Sequence, residues 1–278
     1  MVSLQLFDSK NPRYPLAYIL KSRGTQWTTN GLQRTSSGCA SRQSTPVSDA
    51  AGIVSVDGSE EPATTALDAQ RFADWIAKGR AGEMDYLKRR DDNGTLLRSA
   101  VQVAVPWARS VVVCALNYNA AAPLSIDPAP LDTGWIARYA WSGQPDPANP
   151  DALLPTDYHN QLLTRLRSVE SAIQQRFAAQ DIETRCYVDT GPLVERTAAA
   201  RAGIGWIGKN TCVINQQLGS WLLLGVVITS IPVGGDAVFS IAEDRCGSCT
   251  RCVRRLSHRR ARRAVPDGCL ALYRLSHH

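Results

Sequence analysis

The stretch Tyr187–Ser230, YVDTGPLVERTAAARAGIGWIGKNTCVINQQLGSWLLLGVVITS, decides how the chain is read. It opens on a short strand-like run that ends in an acid, Asp189. Pro192 suits the first position of a helix, where its missing N–H would be unpaired anyway. Glu195 lies in the first turn, where the helix dipole favours negative charge. The alanine-rich run Thr197–Ala202 propagates the helix, and Gly203 stops it. Two β-branched segments, Thr211–Asn215 and Trp221–Thr229, flank Gln216–Ser220, which reads as a hairpin turn. The order is strand, acid, helix, glycine loop, strand, turn, strand.

The glycine loop matches two phosphate motifs and satisfies neither. Gly203, Gly205 and Gly208 have dinucleotide spacing, and Gly203 through Lys209 match most of a P-loop, with Asn210 where a metal-binding Ser or Thr belongs. Both motifs need a strand before the glycines and a helix after them, so that phosphate meets a helix N-terminus. Here the helix comes first and a strand follows. Two readings stay open. The glycines permit a tight loop beside a packed Trp206, or the loop approaches a large flat cofactor with Lys209 and Asn210 as polar contacts.

Outward from this stretch, 278 residues at 44% hydrophobic can bury one substantial core or two smaller ones. No apolar run is long enough to span a bilayer and no leader signal opens the chain, so a soluble cytoplasmic protein without a membrane partner is expected. The net charge of +6 resembles a nucleic-acid footprint until it is located. Residues 253–278 carry seven arginines and one acid, Asp267, while the other 252 residues hold 24 basic and 24 acidic side chains. Basicity therefore describes the tail, not the body.

Residues 1–46 are polar, Ser/Thr-rich and aperiodic, and are expected to be disordered or poorly packed. Ala51–Val56 reads as a strand. From Thr65 a helix is expected, with Leu67, Phe72, Trp75 and Ile76 as a core stripe and Gly79 as its end. Met84–Leu87 starts a second, short helix. Ser110–Leu116 is a buried strand in which Cys114 is a small core residue. Pro123–Pro155, with seven prolines, reads as an extended surface loop. It contains Arg138-Tyr139-Ala-Trp141, and Asp157-Tyr-His159 follows. A helix then runs from Leu162 to Phe177, with Leu162, Leu166, Val169 and Ile173 on one face. His159 alone reads as a helix-start or core residue. Beside the Arg-Tyr-Ala-Trp segment it becomes a site candidate.

Eight cysteines are present, and three are bunched as Cys246-Gly-Ser-Cys249-Thr-Arg-Cys252. C-x2-C-x2-C begins the bacterial iron–sulfur run C-x2-C-x2-C-x3-C-P. A tetrahedral zinc ion is the rival, less suited to two C-x2-C steps that share a cysteine. The run then breaks, with Leu256 and Ser257 where Cys and Pro are required. Reading GC-rich codons for Val253–Leu270 one nucleotide later restores Ser-Gly-Ala-Cys-Pro-Thr-Gly at the required place. A frame slip after Cys252 is therefore expected, and it accounts for the arginines of an irregular tail.

Taken together, these motifs resemble the epoxyqueuosine reductase family. The resemblance rests on Asp189-Thr-Gly-Pro-Leu-Val-Glu195-Arg, Ala202-Gly-Ile-Gly-Trp-Ile-Gly-Lys209-Asn210, Gly219-Ser-Trp221 and the cysteine run. Ala-Lys78-Gly, Gly82-Glu-Met84-Asp-Tyr-Leu87, Asn117-Tyr-Asn119, Arg138-Tyr-Ala-Trp141 and Asp157-Tyr-His159 fit the same family in order. An insertion separates the last two motifs, and residues 1–46 match nothing. The resemblance implies an α/β (α+β) fold. A cobalamin-binding catalytic core similar to the reductive dehalogenases would span 47–240. Only the start of a ferredoxin-like [4Fe–4S] domain would follow at 241–252, and an aberrant tail at 253–278.

Further implications come from the same resemblance. The implied reaction reduces epoxyqueuosine to queuosine at the tRNA wobble position, with an external electron donor and a monomeric enzyme. Deoxygenating an epoxide needs two electrons and protonation of the leaving oxygen, and side chains cannot supply electrons, so cobalamin and a cluster must. Asp189 resembles the acid that protonates the leaving oxygen. That role calls for burial to raise its pKa, whereas a helix-capping carboxylate is the alternative. Arg138, Tyr139, Trp141, His159, Lys209 and Asn210 are the implied cofactor contacts, and Cys246, Cys249 and Cys252 the metal ligands. With one incomplete run, the chain is expected to hold at most one labile cluster and to be inactive. The alternatives are a cobalamin/iron–sulfur reductase acting on a small molecule, or a non-catalytic product.

Overall fold

The computed structural model describes residues 28–32, 42–46, 48–56, 62–119, 124, 127–128, 131–141, 143–149, 153–233 and 241–255. Its centre is a four-stranded sheet of β3 (Ala50–Ser55), β4 (Ser110–Asn117), β7 (Thr184–Tyr187) and β10 (Leu222–Thr229), in the spatial order β3-β4-β10-β7. Each neighbouring pair is antiparallel, with Cys114 opposite Gly225 and Val226 opposite Tyr187. The middle strands β4 and β10 are covered on both faces, so they read as continuous apolar runs without alternation.

One face carries Ile53, Val112, Cys114 and Val227 against helix α3 (Tyr158–Arg176). Leu162, Leu166, Val169 and Ile173 fill that contact, as their spacing predicts. Asp157 caps α3, its carboxylate accepting from the His159 N–H at 2.9 Å. The opposite face carries Val111, Val113, Val226 and Ile228 against α2 (Val101–Ala104) and α4 (Glu195–Arg201). A satellite cluster joins Phe72 and Trp75 of α1 (Pro62–Ala77) to Leu87 and Leu96. Leu67, expected in that stripe, is instead exposed. Met84–Leu87 forms a turn of 3-10 helix, and Gly79 takes a positive φ of 68° just past α1.

Three expectations change. Helix α4 begins at Glu195 and not at Pro192, because Gly191 and Leu193 are buried in a bend before it. The hairpin turn exists, with Asn215 and Gly219 exchanging backbone bonds, but its two arms enter different sheets. Val213–Ile214 (β9) pairs with Trp206–Ile207 (β8), while β10 joins the central sheet. Pro123–Pro155 is more ordered than an extended loop: Arg138–Trp141 forms a 3-10 turn, and Gly143–Pro145 (β5) pairs with Leu153–Pro155 (β6).

Within 1–46, where no element is expected, Thr28–Leu32 (β1) and Arg42–Pro46 (β2) pair antiparallel. Arg251–Arg255 forms a short helix, α5, and the tail beyond it lies outside the described residues. Among the described residues no helix is long and apolar enough to cross a membrane.

Candidate functional site

The site lies at the sheet end where β4 finishes and β10 begins. The Tyr118 N–H donates to the Trp221 carbonyl at 3.0 Å, and the two rings stack with centroids 5.8 Å apart. The Arg138 guanidinium lies 4.4 Å from the Trp221 ring centre and 5.1 Å from that of Trp141. Trp135 stacks on Trp141 in turn, at 6.1 Å. A flat ladder of aromatic and guanidinium faces therefore borders the site, and Tyr139 extends it to Tyr158, edge to face at 5.5 Å.

The ladder leads to Asp189. Two residues past the end of β7, Asp189 sits in the left-handed region at φ 56°, a conformation that needs support from its surroundings. The N-terminus of α3 supplies it. The Tyr158 hydroxyl donates to Asp189 Oδ2, and His159 Nε2 lies 3.3 Å from the same oxygen. From the other sheet face, Arg98 donates to the Asp189 main-chain carbonyl at 3.4 Å. Burial pushes the Tyr158 hydroxyl pKa upward, and the Asp189 carboxylate adds to that, so the tyrosine stays a donor.

Asp189 does not cap a helix, since α4 is preceded by Val194 with no side-chain cap bond. Nor is it buried as the acid role seemed to require, with 52% of its side chain exposed. His159 instead lies between two carboxylates, its Nδ1 2.7 Å from Asp157 Oδ1. Its two ring nitrogens therefore face one carboxylate each, Nδ1 toward Asp157 and Nε2 toward Asp189. Hydrogen bonds from His159, the backbone N–H first, hold the Asp157 carboxyl below its ordinary range.

The buried acid is Glu195. Burial raises its pKa to about 7, Asp189 adding to the rise and Arg98 opposing it, and its Oε1 has no hydrogen-bond partner among the described residues. The sequence places Glu195 in the first turn of a helix, as found, but gives no sign of its burial. Tyr158, Tyr118 and Trp221 were visible as motif members, and Arg98 carried no local signal.

Of the predicted contacts, His159 meets Asp189, Tyr139 packs on Tyr158, and Arg138 and Trp141 belong to the ladder, whereas Lys209 and Asn210 belong to another neighbourhood. Lys209 Nζ donates to the carbonyls of Gly247 at 2.5 Å and Cys249 at 3.0 Å. Trp206 Nε1 donates to Cys246 Sγ at 3.4 Å, and the Asn210 side chain accepts from the Cys212 N–H. Burial pushes the Cys212 thiol pKa up, with Arg196 opposing and Cys252 adding a small rise.

The glycine loop is thus a packed hairpin tip that holds the cysteine segment. At Gly205 a Cβ would come within 2.2 Å of the Ile214 carbonyl, and no helix follows Gly208 to receive a phosphate. Cys249 is exposed and Cys246 and Cys252 are partly buried. Among the described residues, no three metal-ligating side chains are gathered closely enough to hold an ion.

The family described as epoxyqueuosine reductase QueG, DUF1730, matches residues 98–190, which contain α3, Asp189 and the ladder apart from Trp221. An epoxyqueuosine reductase of Synechocystis sp. is 37% identical over 185 residues, 66% of this chain and 55% of that protein. That of Escherichia coli is 32% identical over 182 residues, 64% of this chain and 42% of that protein. A crystal structure of epoxyqueuosine reductase with a tRNA-Tyr epoxyqueuosine-modified stem loop aligns at TM-score 0.54 and 28% identity, covering 74% of this chain and 47% of that one. The Streptococcus thermophilus enzyme shares the fold at TM-score 0.56 and 23% identity, over 74% of this chain and 48% of that one.

In class, then, the chain is a mixed α/β protein built on an antiparallel sheet, with a carboxylate and an aromatic ladder at one sheet end. Over part of its length, it is similar to the epoxyqueuosine reductases. It spans about half the length of the curated relatives it matches.

Proposed function

We propose that residues 48–233 form the catalytic core of an epoxyqueuosine reductase-type oxidoreductase. Its substrate would be the epoxyqueuosine of a tRNA wobble position, its product queuosine, and its setting the cytoplasm. The observation that carries this reading is the convergence of Tyr158, His159 and Asp189 beside the aromatic ladder, inside the segment that matches the family.

Converting the epoxide to an alkene breaks both C–O bonds, takes up two electrons and releases the oxygen as water with two protons. Asp189 is placed to give the first proton. Its oxygens face outward at the sheet end, Tyr158 fixes their orientation, and His159 Nε2 can return a proton to Oδ2 from solvent. Asp157 keeps the imidazole aimed at Asp189 through Nδ1.

Cobalamin, when bound, would supply the electrons that no side chain can. The flat faces of Trp141, Trp221 and Arg138 offer a surface that fits a large planar group. The cysteine run has the spacing of cluster ligands, but its thiols are not drawn together here, so no step is assigned to it. A reductase core of this kind would depend on an external electron donor and act as a monomer.

A chimera tests the reading: residues 48–252 of this chain joined to the C-terminal part of the Synechocystis relative. It is expected to bind cobalamin, seen as a visible-absorption change, and to form queuosine in an epoxyqueuosine-bearing tRNA stem loop. Asp189→Asn should keep the bound cobalamin and lower turnover by about 100-fold or more, the usual contribution of a general acid. Unchanged turnover in that variant would remove Asp189 from the role. A folded chimera that binds no cobalamin would overturn the cofactor reading.

A further inference from the structure

The sheet carries a second concavity that the proposed reaction does not use. It is a cavity of about 120 Å³ between α1 and α4, over the end of the sheet remote from Asn117 and Trp221. The register shows this directly, since the floor residues Val54 and Val111 are paired near the last rungs of β3 and β4. The rest of the floor is apolar too: Phe72 and Trp75 from α1, and Leu193 from the bend before α4.

The rim is not apolar. Arg71, Arg98 and Arg201 border the opening, against one acid, Asp68, which lies 3.5 Å from Arg71. The lining thus carries three guanidinium groups and one carboxylate around a hydrocarbon floor, Arg71 and Arg201 acting on Asp68 and Arg98 acting also on Glu195. Burial raises the Asp68 pKa, with Arg201 and Arg71 opposing the rise. Enclosed apolar walls with a few convergent polar groups are the usual form of a small-molecule site. Guanidinium groups pair with carboxylates through two parallel hydrogen bonds where a lysine offers a point charge.

We propose that this cavity is a binding site for a small planar carboxylate, its apolar body against Val54, Phe72 and Leu193 and its charge on the arginine rim. The site is distinct from the Asp189 centre, yet the two share one side chain. Arg98 borders the cavity and donates to the Asp189 carbonyl, so an occupant that engages Arg98 also acts on the turn that holds the acid.

Isothermal titration of the unmodified chain with 2-naphthoate, and with the uncharged 2-naphthamide, tests this without reference to reduction or to any cofactor. The naphthoate is expected to bind one per chain, about tenfold more tightly than the amide, the effect of one charge-assisted contact. Arg201→Gln should remove most of that preference. Ala198→Trp, which fills the cavity, should abolish binding while the melting transition persists. Equal affinity for acid and amide would overturn the proposal, as would undiminished binding by a folded Ala198→Trp chain. Absence of saturable naphthoate binding at millimolar concentration would overturn it on the unmodified protein alone.

Discussion

The Asp189 turn and the Cys246–Cys252 segment are held by different physics, the first at the end of the central sheet and the second on the β8-β9 hairpin tip. Asp189 is fixed from both sheet faces, by the Tyr158 hydroxyl and His159 on one side and by Arg98 on the other, and its charge acts on the largely buried Glu195. The cysteine segment is fixed by a hairpin tip. Two carbonyls accept from the Lys209 ammonium, one sulfur accepts from the Trp206 indole, and Val253 alone is deeply buried beyond them. The first arrangement is part of the cooperative core and carries the cost of an enclosed charge. The second consists of polar contacts for which water competes, so it can open without the core.

The largest effect that should separate the two regions comes from Glu195. Its pKa rises from 4.5 to about 7 in the folded chain because burial disfavours the charged form. The unfolded chain therefore ionises first as pH rises, and stability falls between these two values. Below pH 4.5 the penalty is absent, and above pH 7 it is complete. Glu195→Gln removes the ionisation, so it should stabilise the chain by about 3 kcal/mol at pH 8, with the gain shrinking toward pH 5. Urea melts of both forms across that range measure the difference. A gain that does not change with pH would show that burial of charge is not what distinguishes the acid end.

Much of this was legible in the sequence where local pattern and tertiary demand agree. Leu162, Leu166, Val169 and Ile173 mark α3 because one helix face is buried against β7 and β10 and the other is not. Val111–Ala115 reads as a buried strand because both sheet faces are covered. The start of α3 is less legible: the pattern places it at Leu162, whereas Asp157 caps a helix that begins at Tyr158 and so delivers two partners to Asp189.

Where tertiary packing overrides local preference, the reading failed. Pro192 is suited to begin a helix, but the chain first buries Leu193 and turns at Gly191, whose Cβ would meet the Leu193 and Tyr187 side chains at 3.1 Å or less. That displacement is what carries Glu195 inward. The partner of β9 was equally hidden, because β8 is two residues long and sits among glycines. Lys209 and Asn210 anchor the cysteine segment and the hairpin tip, contacts that no local pattern announces. Each is polar at a tight, exposed turn.

A second, smaller effect belongs to the cysteine end. Lys209→Met keeps the apolar stem and removes the charge that ties Gly247 and Cys249 to the hairpin. Two charge-assisted bonds at an exposed position should contribute about 1.5 kcal/mol together, roughly a tenfold change in the local opening constant. Amide exchange across 246–252 is expected to accelerate by that factor while exchange in β4 and β10 stays the same. Acceleration in both would mean that the cysteine segment is part of the cooperative core after all.

The smallest effect is the most local, and it tests whether the hairpin tip holds the sulfur as well as the backbone. The Trp206 N–H to Cys246 Sγ distance of 3.4 Å is that of a weak hydrogen bond, and the indole also covers one side of the thiol. Trp206→Phe removes the donor and keeps an aromatic face, at a cost of about 0.5 kcal/mol. Iodoacetamide should then alkylate Cys246 about two- to threefold faster, the kinetic equivalent of that energy. Cys249, already exposed and without an indole partner, serves as the internal reference and should keep its rate. If both thiols accelerate together, the indole is acting on the whole segment, and the contrast between a rigid acid end and a locally released cysteine end loses its finest support.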